Sequence, residues 1–398
     1  MAYSGQRLSS RQIGFMKERI SMIYYLGYYS CNSIDDENRY TSAPAANKMS
    51  YVISALSDIL DNECTVVSPS ETRSRSIVKG SLKKLSNHIS LKTFPSIYSP
   101  FLPIRCFGHL LTKLYLNLYL LTRIKENDTV IVYHSMALMK VVKRLKRITK
   151  CELIIEAEEL YSDVHENEGL RKKEINYLKL ADKYIVITEL LNKEINSDNK
   201  PKTILHGNYK EVSKCSDKFC DGKIHVVYAG TFNPIKGGAT SAIGAAEFLD
   251  ENYVLHILGG GSKAEVENVV RKIEKISLVT KCKIVYDGFI KGKEFDKFIQ
   301  SCHIGLSTQQ PNGKYNASSF PSKVLMYMSN GLPVVSVRIP AIESSNVGEY
   351  VYYYNEATPQ SIAKAIRAVP SNQSSLIYAR LKELDLNFKN ELTELLSK

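Results

Sequence analysis

The sequence has no Cys-x-x-Cys pair, no internal repeat, no low-complexity tract and no apolar run of about 20 residues, the length a membrane-spanning helix needs. Each absence removes a class of protein. The eight cysteines (Cys31, Cys64, Cys106, Cys151, Cys215, Cys220, Cys282, Cys302) are scattered and stand away from histidines, which argues against a zinc cluster and a disulfide scaffold and fits a reducing cytoplasm. The first residues, "MAYSGQRLSSRQIGFMKER", contain no apolar core of signal-peptide length. Acidic side chains are in deficit. Against 53 Lys and Arg stand 41 Asp and Glu, a formal charge of +12, which attracts anions such as an acidic membrane surface or a phosphorylated small molecule. No nucleic-acid recognition module accompanies that charge, so nucleic acid is not an expected partner.

What is present is a soluble globular composition, 44% hydrophobic and 24% charged, on a chain of 398 residues. That length exceeds one ordinary core, and two domains of similar size are expected. Short β-branched or aromatic runs alternate with helical patterns: 22–28, 64–69, 128–134, 151–157 and 182–188 in the first half, then 223–230, 253–260, 282–289, 302–308, 332–337 and 349–354. Such alternation gives an α/β fold of two doubly wound parallel-sheet, Rossmann-like domains facing a cleft. The expected bounds are 1–210, a polar linker at 211–222, a second domain at 223–369, and a helix at 370–398 packing back toward the first domain.

The loops of the second half carry the chemistry. "AGTFNPIKGG" lets the backbone turn at Gly230 and Thr231, then sets Lys236 beside the bare amides of Gly237, a pattern suited to phosphate. "LGGGSKAE" satisfies G-x-G-x-x-A through Gly259, Gly261 and Ala264, a weak dinucleotide fingerprint that supports close approach of a diphosphate. In "NASSFPSKVLMYMSNGLPVVSV", Lys323 occupies the first turn of a helix, where the dipole is positive and a cation is misplaced unless an anion is bound. A nucleotide diphosphate explains it: its oxygens would meet Lys323, Lys236 and the helix start at Ser318, Ser319, Pro321 and Ser322.

The order "YAGTFNPIKGG", "YVLHILGGG", "KIVYDGFIKGKEFDKFIQSCHIGLST", "FPSKVLMYMSNGLPVVS" resembles the group 1 (family 4) glycosyltransferases of the two-Rossmann-domain, GT-B type, particularly bacterial members that decorate surface polysaccharides. "VIVYHS", "ELIIEAEELYSD" and "ADKYIVITELLNKEI" extend the likeness more loosely into the first half. The resemblance implies retaining transfer of a sugar from a nucleotide sugar to an acceptor hydroxyl, without a cofactor. It makes Lys236 the phosphate-binding lysine and puts the base at Asp287, Phe289 and Ile290. Metal is not expected, since no D-x-D carboxylate pair is present and fixed cations such as Lys236 and Lys323 can stabilise the leaving diphosphate. The family's arginine before that lysine is matched by Thr231, its two glutamates by Ser318 and Met326, and its histidine after the fifth strand by Glu158.

Glu158 follows a buried-type strand, which brings it to the cleft as the candidate base or charge stabiliser, with Glu156, Glu159, His134 and Arg39 as acceptor-side residues. Two segments suggest a membrane surface. "KVVKRLKRITK", 140–150, is a basic amphipathic helix, and 101–124 sets Arg105, His109, Lys113 and Asn117 on one face. Expected partners are a nucleotide-sugar donor, a lipid-linked or glycan acceptor, and the anionic inner face of the cytoplasmic membrane. Two other classes compete: a non-catalytic binding or scaffolding subunit of the same fold, and an NAD-dependent oxidoreductase resting on Gly259, Gly261 and Ala264. A panel of nucleotides and nucleotide sugars separates the three.

Overall fold

A computed structural model describes residues 21–164, 167–234, 236–311, 313, 316, 319–370 and 374–397. Alternating burial along short β-branched runs and buried stripes along helices build two parallel sheets with helices on their faces. In the first domain the strands are β1 (Ile23–Leu26), β2 (Cys64–Ser68), β3 (Leu82–Lys84), β4 (Ile89–Thr93), β5 (Thr129–Tyr133), β6 (Glu152–Ala157), β7 (Lys183–Val186) and β8 (Lys202–Ile204). Their spatial order is β8-β7-β6-β5-β1-β2-β4-β3. All pairs are parallel except β3 with β4.

The second domain holds β9 (Ile224–Thr231), β10 (Tyr253–Gly260), β11 (Lys283–Gly288), β12 (Ile304–Ser307), β13 (Val334–Val337) and β14 (Val351–Tyr354), ordered β11-β10-β9-β12-β13-β14. Every pair there is parallel. The order reverses between β9 and β12, as it does in the first domain between β1 and β5. Ligands of such sheets bind beyond the carboxyl ends of the strands at those reversals.

The helices that matter for the site are α1 (Ala43–Ile59), α2 (Leu102–Arg123), α3 (Met139–Thr149), α4 (Glu168–Leu178), α5 (Gly238–Ala245), α6 (Lys263–Ser277), α7 (Ser322–Ser329) and α8 (Ser374–Leu396). The eleven expected strands are all present, with ends within two residues of the expected bounds. Three short strands of the first sheet, β3, β4 and β8, and the separate antiparallel pair Ile77–Val78 and Ser96–Ile97 were not read from the sequence. In β3, β4 and β8 the segments "LKK", "ISLKT" and "KTI" alternate lysine or serine with apolar residues too briefly to stand out from loop.

At the far end of the chain, α8 lies across the first domain. Phe388 stacks on Tyr51 of α1 at 5.6 Å between ring centroids, Tyr51 donates to Asp385 at 2.8 Å, and Lys389 pairs with Asp58 at 2.9 Å. Among the described residues no helix is long and apolar enough to cross a membrane.

Candidate functional site

In the second domain, three helices begin just beyond β9, β10 and the turn before α7, and their N-termini differ. A helix start leaves backbone N–H groups unpaired and carries partial positive charge. At α6 the sequence closes that end itself: Ser262 and Glu265 form a reciprocal capping box, and the Glu265 carboxylate accepts from the Ser262 N–H at 2.6 Å. No side chain caps α5, whose N-cap is Gly237 at φ 62°, or α7, whose N-cap is Pro321. The two open ends are the ones beside Lys236 and Lys323.

Lys323 extends from α7 across the end of β9. Its ammonium lies 5.2 Å from the Tyr228 ring centroid, and a Cβ at Gly230 would sit 2.7 Å from the nitrogen, so any larger residue there would push the lysine aside. Among the described residues it makes no ion pair. Burial pushes its pKa down to about 8, and the neighbouring Lys236 pushes the same way. Two lysines that repel each other across a partly covered turn are held there by the fold. An anion between them relieves that repulsion.

Gly259 and Gly261 turn out otherwise. Gly259 has φ 138°, and a Cβ there would overlap the Gly230 carbonyl oxygen, so its glycine serves the close approach of β10 to β9. Beside Gly261 lies the Glu265 carboxylate of the capping box. A diphosphate at that loop would meet like charge, and the dinucleotide fingerprint is a packing and capping feature here. Asp287 is also occupied: its Oδ2 bonds His256 Nδ1 at 3.0 Å, in a chain that continues through His225 to Asp221 at 2.8 and 2.9 Å. The exposed Phe289 ring, beside Gly260, and the half-buried Ile290 are the free surfaces of that loop. Thr231 is exposed at the end of β9; Ser319 and Pro321 are half-buried and Ser322 exposed at the start of α7. Ser318 lies outside the described residues.

Across the cleft, Glu158 follows β6 and pairs with Lys48 of α1 at 2.9 Å. Lys48 also donates to the Leu205 carbonyl at 2.6 Å. The next residue, His206, stacks on Phe320 at 5.0 Å between centroids, and Gly207 abuts Leu325 of α7. Glu158 and the Phe320–Lys323 turn therefore share one junction. Lys48 and His206 were not read as site residues. The signal for Lys48 was available, since it falls with Val52, Ala55 and Ile59 on one helical stripe, where a lysine must find a partner.

Burial corrects the expectations for Glu156 and Arg39, while His134 is largely buried but lines the cavity described below. Glu156 is fully buried, its carboxylate bonded to the Tyr25 hydroxyl, and burial together with Glu158 raises its pKa to about 8. It is a protonated core residue under the cleft floor, with no surface for an acceptor. Arg39, 6% exposed, pairs with Glu37 and donates to the carbonyls of Ser70 and Phe94, tying down the loop before α1. His134 is 1% exposed between Tyr161 and Tyr177, and burial lowers its pKa to about 4, so the ring is neutral. Nearby Glu174 of α4 accepts from the backbone N–H groups of Tyr161 and Ser162, both at 2.9 Å, and so anchors the turn that carries Glu158 and the half-buried Glu159. A cavity of about 490 Å³ opens above this region, with Tyr28, Tyr40, Tyr133, Tyr161, Met136 and Leu170 among its walls.

Two strand-reversal crevices face each other, one offering paired lysines at open helix ends and the other a paired carboxylate and an aromatic cavity, the layout of a two-Rossmann-domain GT-B fold. Residues 223–372 match the family model "Glycosyl transferases group 1". No curated protein matches the sequence. Solved structures share the fold over nearly the whole chain. Anabaena HepE in complex with UDP and glucose aligns with TM-score 0.63 and 13% identity, covering 94% of this chain and 99% of that one. "Trehalose-6-phosphate from E. coli bound with UDP-2-fluoro glucose" aligns with TM-score 0.62 and 11% identity, covering 94% and 97%. The α,α-trehalose 6-phosphate synthase of Burkholderia multivorans gives TM-score 0.63 and 10% identity, covering 94% and 96%.

Proposed function

We propose that the protein transfers a sugar, with retention, from a nucleoside-diphosphate sugar to a lipid-linked or polysaccharide acceptor in surface glycan synthesis, working at the inner face of the cytoplasmic membrane. One observation carries the donor assignment: two uncapped helix N-termini, at α5 and α7, stand beside Lys236 and Lys323, and burial together with Lys236 lowers the pKa of Lys323 to about 8. Charge that develops on the leaving diphosphate meets fixed dipoles and cations, which need no reorganisation during the reaction. Phe289 supplies an exposed aromatic face for the base. UDP is the first nucleotide to try, because Anabaena HepE is described with UDP and glucose.

On the opposite wall, the ion pair with Lys48 holds Glu158 oriented, ready to stabilise positive charge on the sugar carbon or to take the acceptor proton. The experiment is a transfer assay with a panel of labelled UDP- and GDP-sugars and membrane extract as acceptor. Labelled product in the lipid or polysaccharide fraction supports the reading. UDP binding without turnover on any acceptor favours a non-catalytic binding subunit.

A further inference from the structure

The helix α2 is turned inside out. Amphipathic helices of globular proteins put the apolar stripe on the core, yet the buried residues of α2 are Gly108, Thr112, Leu116 and Leu120, while Ile104, Phe107, Leu110, Leu114 and Leu118 point outward, 46–66% exposed. Phe101, just before the helix, adds a ring 68% exposed. Those residues recur three and four apart over four turns, one continuous ridge rather than scattered surface leucines. The inward face is used: Gly108 abuts the Ile97 carbonyl, and Thr112 donates to the Pro95 carbonyl at 2.9 Å. A rotated helix would lose both.

We propose that α2 lies in the interface plane of an anionic bilayer with this ridge immersed among the acyl chains, so that the acceptor cavity opens at the membrane surface and receives an acceptor carried on a lipid. This rests on the transferase reading above. Charge selects the occupant. Neither α2 nor α3, which packs beside it, contains an acidic residue, and Arg105 of α2 and Lys140, Lys143, Arg144 and Arg147 of α3 are exposed. A second copy docked through the same ridge would set these like charges against each other, whereas anionic headgroups neutralise them. The path to the cavity is short: His109 of α2 bonds Glu71 at 2.5 Å, and the Glu71 carbonyl accepts from the N–H of Tyr40, a cavity wall residue.

Flotation with liposomes tests this, using phosphatidylglycerol-containing and pure phosphatidylcholine vesicles. The triple variant Leu110→Ser, Leu114→Ser, Leu118→Ser changes only exposed side chains and should keep the parental melting temperature and UDP affinity. The parent should float with anionic vesicles and retain a bound fraction at about 1 M salt, where the Debye length of about 3 Å screens the basic residues and leaves the apolar contribution. In the triple variant the salt-resistant fraction should vanish and the partition coefficient fall by about tenfold or more. Equal flotation of parent and variant, or no flotation of the parent, would overturn the proposal. So would a parental dimer in vesicle-free solution that the variant converts to monomer, since the ridge would then be a contact between copies. Absence of UDP binding by the parent counts against the transferase reading and leaves the flotation result standing, so the two failures are separable.

Discussion

At the second domain's wall of the cleft, Gly237 and Pro321 start helices without side-chain caps, and Lys236 and Lys323 lie close enough to repel each other. At the first domain's wall, Arg39, Glu156 and His134 have been drawn inward and satisfied or neutralised, and Glu158 is held by Lys48. On the proposed reading the difference is between a wall of clustered positive charge at open helix ends, suited to an anion, and a rigid wall with one accessible paired carboxylate, suited to a neutral acceptor.

The sharpest way to break the comparison is on the first wall. Glu158→Gln keeps the shape and removes the charge, and kcat should fall by about 10²–10⁴ with donor affinity nearly unchanged. Parental turnover in this variant would move the catalytic role to Glu159, since Glu156 has no access. Lys48→Met removes the partner that orients Glu158 and holds the Leu205 carbonyl; kcat should fall by a smaller factor with KM for the donor nearly unchanged, and Lys48→Arg should restore part of it. Gly259→Ala tests whether that glycine is structural. Its φ of 138° and the Gly230 carbonyl leave no space for a Cβ, and the variant should lose about 2 kcal/mol or more of stability in denaturant unfolding.

The smallest expected effect concerns Glu156. Its folded pKa, about 8, lies above the ordinary glutamate value of 4.5, so the folded state keeps a proton that the unfolded chain releases. That contribution to stability is fully present below pH 4.5 and is lost as pH rises through about 8. Glu156→Gln should therefore flatten the decline in melting temperature between pH 6 and pH 9. A parallel decline in parent and variant would mean that Glu156 is ionised in the fold.

Much of the architecture was readable because parallel sheets write long apolar strands into the chain, and β9 and β10 are nearly continuous runs of that kind. Lys236 and Lys323 were readable because glycine and helix-start chemistry are local. What was not readable depended on neighbours far along the chain. The capping box that disqualifies the Gly261 loop was visible as Ser262 and Glu265, but its competition with phosphate appears only against two open helix ends. The burial of Arg39 requires the carbonyls of Ser70 and Phe94, and the Glu156 environment requires Tyr25, contacts that no periodicity encodes. The segment 101–124 gave its amphipathic pattern correctly, while the direction of its apolar face is decided by Gly108 and Thr112 fitting against 95–97.

Calorimetric titration of UDP tests the donor site most directly, with the parent, Lys236→Ala, Lys323→Ala and Lys263→Ala compared at pH 7. Lys263 begins α6, the capped helix, and is 93% exposed. Loss of a charge-assisted hydrogen bond costs about 1.5–3 kcal/mol, so Lys236→Ala and Lys323→Ala should each weaken UDP by roughly 10- to 100-fold with melting temperatures preserved. Lys263→Ala should bind as the parent does. Parental affinity should also fall as pH rises through about 8, where Lys323 loses its proton, and Lys323→Ala should lack that dependence. Unchanged UDP affinity in both Lys236→Ala and Lys323→Ala, or a loss confined to Lys263→Ala, would contradict the assignment of the diphosphate to the open ends of α5 and α7.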